Sequence, residues 1–295
     1  MVAQPSLQRS PAQAERRGST WPRRAASLVL VHAFLLAGAV FMLLPFVWML
    51  VTSIKPPAEI FSATLALWPE QFYGIENYRF ALTTAPLLRF AANGVFVCGC
   101  ILAAQLLVAI PCAYALAKLR FPGRQALFVL TLLALAIPVQ VPALPLYVGL
   151  ASVGLLNTYF AMMVPFFLSV FAIFLLRQFF KGFPDDIIHA ARLDGMSEFE
   201  IIWRIVKPSA WPAIAAFSVF SIVAHWNDLY WPLIVISDGK LAPPPLGMMI
   251  FADAETGSNY GALTAAAAIL TAPLVVTFLF ARRHFIAGIT MTGVK

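Results

Sequence analysis

Charged residues are scarce in this chain of 295 residues, of which lysine, arginine, aspartate and glutamate make up 11%. Soluble domains carry roughly 25%, whereas this sequence is 61% hydrophobic and has a mean hydropathy of +0.84. The composition excludes a soluble globular domain and indicates a membrane protein that crosses the bilayer several times. Its net charge of +7 is more typical of basic loops on one membrane face than of nucleic-acid binding. We therefore expect no nucleic-acid partner.

The sequence also lacks the residues of a metal site, a nucleotide site and a signal peptide. Its three cysteines lie in one apolar stretch, 98–112, without a second Cys/His pair nearby, so they indicate small buried hydrophobes. A P-loop needs G-x-x-x-x-G-K-[ST], but the Gly239 and Lys240 pair is followed by Leu241. About 25 polar, arginine-rich residues precede a first apolar run too long for a signal peptide. We expect no enzyme and no cofactor in this chain, so a partner or an ion gradient must supply energy.

Six apolar segments are long enough to cross a bilayer, which takes about 20 residues per helix. Backbone groups cannot remain unpaired in lipid, so long runs without period-two alternation predict helices. The sequence therefore predicts an all-α polytopic membrane protein with six transmembrane helices. The segments are 26–51, 91–116, 126–150, 159–176, 211–236 and 262–280. Residues 1–25 form a basic N-terminal tail, 26–284 a transmembrane domain, and 285–295 a C-terminal tail.

The positions of lysine and arginine predict the orientation, because basic residues collect in cytoplasmic segments. With the N-terminus in the cytoplasm, 16 of the 20 basic residues fall in the N-terminal tail, the loops after the second and fourth segments, and the C-terminal end. The outer side keeps Lys55, Arg79, Arg89 and Lys240. Both termini are therefore expected in the cytoplasm.

The loop after the fourth segment contains the charged stretch FPDDIIHAARLDGMSEFEIIWRIVKP, residues 183–208. Pro184 suits a first helical position, and Asp185 and Asp186 favour the positive end of a helix dipole. The sequence predicts a short helix to about Asp194, with Gly195 as its left-handed stop.

A second short helix is expected directly afterwards, because Ser197 and Glu200 have capping-box spacing. Its apolar residues follow at i, i+3, i+4 and i+7, which predicts one buried stripe, and Pro208 ends it. The stripe consists of Phe199, Ile202, Trp203 and Val206.

Three interpretations of this helix–glycine–helix unit compete. The first is an amphipathic connector on the membrane surface, the second a DNA-binding helix-turn-helix, and the third a docking element for a cytoplasmic partner. DNA binding is disfavoured because membrane helices tether both ends, and the second helix offers only Arg204 and Lys207 as basic contacts. Ala190 and Ala191 supply little side-chain bulk, which favours close approach of another protein.

The stretch HAARLDGMSEFEIIWRIVKPSAWP resembles the coupling loop of permeases from binding-protein-dependent ABC importers. In that family the loop reads Glu-Ala-Ala, three residues, Gly, and then nine residues to Ile-x-Leu-Pro. The matching residues are Ala190, Ala191, Gly195, Ile205 and Pro208. His189 replaces the usual glutamate and Lys207 the usual leucine.

Five further motifs extend the resemblance over nearly the whole chain from residue 26. SIKPPAEIF, KLRFPGR, LLRQFFKGFPDDI, WNDLYWPLIV and FIAGITMTGVK all look like carbohydrate-uptake permeases of the maltose-transporter type. The resemblance is to the shorter, six-helix partner of the permease pair.

This resemblance implies a type I ABC importer fold in the bacterial cytoplasmic (inner) membrane. It also implies a second permease subunit, an extracytoplasmic solute-binding protein, and two cytoplasmic ATPase subunits that bind ATP and Mg and dock on residues 185–208. The permease would move a sugar or sugar-like solute: an oligosaccharide, a monosaccharide, a polyol or glycerol phosphate. The implied ATPase-coupling residues are Asp186, His189, Ala190, Ala191, Asp194, Gly195, Ile205 and Pro208.

Five residues are candidates for the solute path. Asn227 and Asp228 lie inside the fifth apolar segment, where an ionisable group is costly and often functional. The alternative is that Asp228 is solvated or is bound by neighbouring backbone groups. Pro138 and Pro142 interrupt the third segment. Such an interruption is typical of transport sites and equally of a kink that serves packing. Trp226 would stack on a sugar or belong to the aromatic belt at the membrane interface.

A secondary solute transporter without an ATPase is the alternative function. It would require charge pairs near the membrane centre, where only Asp228 is available. A membrane-embedded phosphotransferase fails, because its aspartate-rich core is missing. A neutral solute is favoured, since no basic residue lies inside a predicted span.

Overall fold

The structure, a computed structural model, describes residues 21–62, 68–138, 140–252 and 259–290. The long and intermediate helices are α1 (Trp21–Thr52), α3 (Gly74–Thr84), α4 (Leu87–Lys118), α5 (Arg124–Leu135), α6 (Ala143–Ser152), α8 (Val170–Lys181), α9 (Asp185–Leu193), α12 (Trp211–Trp226) and α15 (Tyr260–Thr290). The short ones are α2 (Pro57–Ile60), α7 (Tyr159–Met163), α10 (Glu198–Glu200), α11 (Lys207–Ser209), α13 (Tyr230–Val235) and α14 (Pro244–Met248). A π-helix (Ile201–Val206) and 3-10 turns (Val164–Phe166, Gly239–Leu241 and Met249–Ala252) complete the described residues, which contain no strand.

The chain divides into two compact units, Met1–Leu50 and Val51–Lys295. The first unit contains most of α1, a helix of 32 residues with Pro45 inside it. Its Ser27–Thr52 part is long and apolar enough to cross a membrane. A helix that is apolar on all sides is typical of a membrane span.

In the second unit α4 is the central helix, because all three clusters of buried residues include part of it. Leu87 and Phe90 pack with α3 and α15, and Ile101 packs with α6, α7 and α13. The end of α4, around Tyr114, packs with α8, the α9–α11 region and α12. One rigid helix thus connects the segment after α8 with the opposite end of the unit.

Buried side-chain amides and one indole fasten the connecting loops to the helices. The Asn77 amide donates to the carbonyls of Ser53 and Lys55 at 3.0 and 2.9 Å, and Asn93 donates to the carbonyl of Ala242 at 2.9 Å. Trp231 Nε1 donates to the Ala161 carbonyl at 2.9 Å. The two asparagines satisfy loop carbonyls, and Trp231 fastens α13 to α7.

The expected single helix over 126–150 is wrong, since the segment folds as α5 and α6 with a break at 136–142. Proline has no N–H to donate and clashes with the preceding turn, and Pro142 is the N-cap residue of α6. Helices of 12 and 10 residues are each too short to cross a bilayer of about 30 Å.

The expected helix over 211–236 is also interrupted. α12 ends at Trp226 and α13 begins at Tyr230. The Asn227 amide donates to the Val223 carbonyl, and an Asp228 carboxylate oxygen accepts from the N–H of Trp231. These short polar side chains bind local backbone groups in place of the helical ladder, so the helix breaks at this point.

The segment predicted over 159–176 bends by 42° between Tyr159–Phe166 and Val170–Lys181. Because α8 continues to Lys181, Arg177 lies inside it, and its Nε donates to the Leu116 carbonyl at 3.1 Å. Among the described residues, three helices are long and apolar enough to cross a membrane, or up to five if each bent pair is one span. The count of six crossings stays a prediction.

The last predicted span, 262–280, lies within α15, which continues to Thr290. The first part of the predicted C-terminal tail, 285–290, is therefore helical. The tail's remaining residues, 291–295, and residues 1–20 of the predicted N-terminal tail lie outside the described residues.

Candidate functional site

The charged stretch forms the predicted pair of short helices. Pro184 is the extended N-cap residue of α9 rather than its first helical residue. At the other end Gly195 has a φ of +82°. Its N–H bonds to the Arg192 carbonyl and the Met196 N–H to the Ala191 carbonyl, each at 3.0 Å. These two bonds form a Schellman motif, which confirms the predicted glycine stop.

The start of the second helix is also confirmed. Ser197 and Glu200 form a complete capping box, with both reciprocal bonds present. A continuous helical segment, Glu198–Ser209, follows and includes the π-helix Ile201–Val206. It ends one residue after Pro208 and is followed by an 80° bend into α12.

The predicted buried stripe of this segment is wrong at one position. Phe199 is 69% exposed, whereas Ile201, Ile202 and Val206 are buried and Trp203 is half-buried. A π-helix has wider turns, with i→i+5 bonding, so Ile201 comes onto the same side as Val206. The periodicity of an ordinary α-helix could not predict this shift.

The predicted coupling residues fall into an outer and an inner group. Asp186, His189, Ala190, Asp194, Gly195 and Pro208 are exposed. Ala191 is only 4% exposed and packs in the core around Tyr114, and Ile205 is half-buried against the same core. The expected patch of two alanines is therefore wrong for Ala191, which faces the protein.

Three exposed apolar side chains lie in the charged stretch that contains Gly195; Ile187 and Leu193 were not singled out from the sequence, and Phe199 was expected to be buried. Leu193 is 89% exposed, Phe199 69% and Ile187 45%. We call Ile187, Leu193 and Phe199 the apolar rim. A helical wheel of 185–194 places Leu193 opposite the buried Ile188 and Ala191, whereas Ile187 falls on the same side as Ala191, so the wheel does not predict its exposure. Large exposed hydrophobic side chains beside a charged surface are typical of a protein–protein contact.

Buried and half-buried polar groups connect the two short helices to α4. The Tyr114 hydroxyl donates to one oxygen of the Glu198 carboxylate at 2.7 Å, and Arg192 Nε donates to the other at 2.6 Å. Glu198 thus joins α9, α10 and α4 in one network. Hydrogen bonds to a charged group are among the stronger ones in proteins.

A second connection runs from the end of α4 to the start of α9. Lys118 Nζ donates to the Asp185 carboxylate and to the Phe183 carbonyl, each at 2.5 Å. This hydrogen bond is the main reason that the pKa of the Asp185 carboxyl lies below its usual value of 3.8. Lys118 therefore keeps Asp185 charged and fixes the entry into α9.

A separate cleft of about 290 Å³ lies between the two broken segments. Asp228, from the break after α12, and Gln140, from the break before α6, both line it. The other lining residues are Phe166, Ala224, His225, Tyr230 and Trp231. Broken helices that present polar groups to a cavity are a recurring way of building transport sites.

The predicted solute-path residues are not all at this cleft. Asp228 lines it, and Pro138 and Pro142 flank Gln140 in the sequence. Trp226 is buried and donates from Nε1 to the Leu270 carbonyl at 3.2 Å, and it lines a different, largely apolar cavity. The Asn227 amide is bound to its own helix. Neither residue lines this cleft, and their predicted place in the solute path stays a prediction.

A polar cluster behind the cleft was missed because its members lie far apart in the sequence. Gln105 Nε2 donates to the Phe166 carbonyl at 2.9 Å and to His225 Nε2 at 3.2 Å. Its other amide atom accepts from Ser221 at 2.6 Å. Gln105 thereby links α4 to α12 next to the cleft. Among the residues described, His, Cys, Asp and Glu form no group of three suited to a metal ion.

The chain was compared with known proteins. Residues 105–290 match the family described as "Binding-protein-dependent transport system inner membrane component". This range includes both short helices and every residue that lines the cleft.

Several curated relatives match over nearly their full length. The arabinooligosaccharides transport system permease protein AraQ of Halalkalibacterium halodurans is 32% identical, over 91% of this chain and 95% of that protein. The diacetylchitobiose uptake system permease protein NgcG of Streptomyces coelicolor is 31% identical, over 94% and 91%. The sn-glycerol-3-phosphate transport system permease protein UgpE of Brucella abortus is 30% identical, over 92% and 98%.

The fold also matches a solved structure. One chain of a bacterial ABC transporter involved in the import of the acidic polysaccharide alginate aligns with a TM-score of 0.78 and 22% identity. The alignment covers 89% of this chain and 98% of that one.

Proposed function

This chain belongs to the family of binding-protein-dependent transport system inner membrane components, and we propose that it is the permease subunit of an ATP-driven importer for a sugar or sugar-like solute. The observation that carries the proposal is the exposed apolar rim in the charged stretch, which lies in the part of the chain that matches the family. An exposed leucine and phenylalanine on a charged surface segment are suited to burial against another protein.

The proposed partners are two ATPase subunits, a second permease subunit and a solute-binding protein on the outer side. ATP and Mg would be bound by the ATPase subunits, and the charged stretch 185–208 would receive their movement. The excess of lysine and arginine on this side supports a cytoplasmic position for the stretch and for both termini of the chain. The membrane would be the bacterial inner membrane.

The solute class is proposed from the cleft between the broken segments. Its lining contains the Asp228 carboxylate, the Gln140 amide and aromatic side chains, but no lysine or arginine. The hydroxyl groups of a sugar can form hydrogen bonds with the carboxylate and the amide, and its apolar faces can stack on the aromatic rings of the cleft. The phosphate or carboxylate of an anionic solute would be repelled by Asp228. A neutral sugar therefore fits this cleft better than glycerol phosphate.

The test compares two glycines that adopt the left-handed conformation. Gly195 and Gly154 have φ of +82° and +69°, and a Cβ added at either would contact nothing within 4 Å. Valine at each position therefore imposes a similar backbone strain, but only Gly195 lies beside the apolar rim. We expect Gly195→Val to abolish ATPase association and uptake in cells, and Gly154→Val to retain both.

Equal loss in the two variants would assign the effect to backbone strain, and the docking role would then be refuted. Full uptake and full association in Gly195→Val would refute it as well. Association is measured by co-purification of the ATPase with the full-length tagged chain, and uptake is measured with radiolabelled sugar.

A further inference from the structure

A cationic cleft of about 460 Å³ lies between the start of α9 and the α4–α5 loop. We call it the basic cleft. Its charged and titratable lining residues are Lys118, Arg120, Arg124, His189, Arg192 and Asp185, and the rest of its wall is formed by Ala117, Leu119 and Ile188. Four permanent cations and one histidine thus face a single carboxylate.

Partners inside the protein do not balance this charge. Asp185 is bound to Lys118, and Arg192 is bound to Glu198, which lies outside the cleft. Arg124 donates to the Leu119 carbonyl, a neutral group. Arg120 and His189 form no hydrogen bond or ion pair with any residue that the structure describes. At least two cations therefore remain without a counter-charge, and like charges close together repel one another.

The basic cleft and the apolar rim lie on different faces of α9. The cleft uses Asp185, Ile188, His189 and Arg192, which follow at i, i+3, i+4 and i+7 and thus share one face. At 100° per residue, the rim residues of α9 are turned from the centre of that cleft face by roughly 150° for Ile187 and roughly 90° for Leu193, in opposite directions. None of the rim residues lines the cleft.

The surface next to the cleft is hydrocarbon-like. α5 starts at Arg124, and Leu127 and Leu135, which lie within about 60° of Arg124 around the helix, are 50% and 43% exposed. These leucines extend from the cleft along an apolar helix of the membrane domain. A basic cleft at the head of an exposed apolar strip matches the shape of a phospholipid, with its phosphate in the cleft and an acyl chain on α5. A soluble phosphate would have no use for the strip.

We propose that the basic cleft binds the phosphate headgroup of an anionic phospholipid. In the orientation proposed above, that lipid lies in the cytoplasmic leaflet. Basic pockets at the membrane surface bind such headgroups through charge. The bound lipid neutralises Arg120 and Arg124 and places an acyl chain against α5, beside the segment proposed to dock the ATPase.

The experiment uses the full-length chain in nanodiscs of phosphatidylcholine that contain a photoactivatable phosphatidylglycerol with the reactive group in its acyl chain. Cross-linked peptides are mapped by mass spectrometry. We expect phosphatidylglycerol, but not an equally labelled phosphatidylcholine, to react with the peptide that contains residues 124–135. Arg120→Gln should weaken this labelling about fivefold, since one basic residue near a membrane surface contributes about 1 kcal/mol.

Lys181→Gln is the matched control, because Lys181 is an exposed cation at the end of α8 outside the cleft. Equal labelling by the two lipids, or equal losses in Arg120→Gln and Lys181→Gln, would overturn the proposal. A third arm adds 10-fold excess inorganic phosphate over the labelled lipid; loss of labelling there would assign the cleft to a soluble phosphate and overturn the lipid proposal. No transport is measured, so a negative result leaves the proposed import function standing.

Discussion

Leu193 offers the most direct test of the apolar rim. Its side chain is 89% exposed, so Leu193→Ala removes almost no contact within the chain and should leave the free energy of unfolding unchanged. Leucine is about three methylene equivalents larger than alanine, and each contributes roughly 0.8 kcal/mol when it becomes buried. With 89% of the side chain available for burial, the variant should weaken ATPase binding by about 2 kcal/mol, or about 30-fold.

The assay titrates the ATPase that co-purifies with the wild-type complex against the full-length permease in nanodiscs. Leu88→Ala is the control, because Leu88 is 76% exposed at the start of α4, far along the chain from the rim. We expect the control to bind as the wild type does. If Leu193→Ala also bound the ATPase with unchanged affinity, the rim would not be the docking surface, and the reasoning from exposure to docking would be refuted.

Three further predictions concern packing and the polar connections. Tyr114→Phe removes the hydroxyl that donates to Glu198 at 2.7 Å, so thermal unfolding should show a loss of about 1.5–3 kcal/mol; an unchanged transition would contradict the proposed connection. Gly247→Ala places a Cβ 2.2 Å from Phe90 and should lose about 1–3 kcal/mol by overpacking, whereas Gly99→Ala, which meets nothing within 4 Å, should not. The pKa of Asp185 is lowered mainly by the Lys118 hydrogen bond. Its contribution to stability is therefore present above the unfolded pKa of 3.8 and is lost as the pH falls through the lower folded value. Asp185→Asn should remove this acid-dependent part of the unfolding free energy, and an acid profile identical to that of the wild type would refute the contribution of Asp185.

The local features of the charged stretch could be predicted from the sequence because each depends on neighbouring residues. Gly195 adopts a φ of +82°, which glycine reaches without strain, and Ser197 and Glu200 cap a helix through bonds three residues apart. Pro138 and Pro142 likewise indicated an interruption of the third segment, whereas the break at Asn227 and Asp228 was not predicted. In these cases local backbone chemistry decides the outcome.

The orientation of each short helix could not be predicted, because distant residues decide it. Ala191, and not Ala190, faces inward since the core around Tyr114 lies on that side. The π-helix arises where Ile201 and Val206 both fit into the same core. The Tyr114–Glu198 hydrogen bond joins residues 84 positions apart, and no periodic pattern in a single sequence indicates such a pair.

The two candidate sites are connected by two rigid elements. Gln105 and Tyr114 are nine residues apart on α4, or about 13.5 Å along the helix, so one helix contacts both the cleft wall and Glu198. α12 follows the charged stretch directly after the 80° bend and carries Ser221 and His225. Because Gln105 is bound to both of these residues, α12 cannot slide along α4 without breaking these bonds beside the cleft. A movement imposed on the short helices therefore has to change the cleft wall, unless α4 and α12 move as one body.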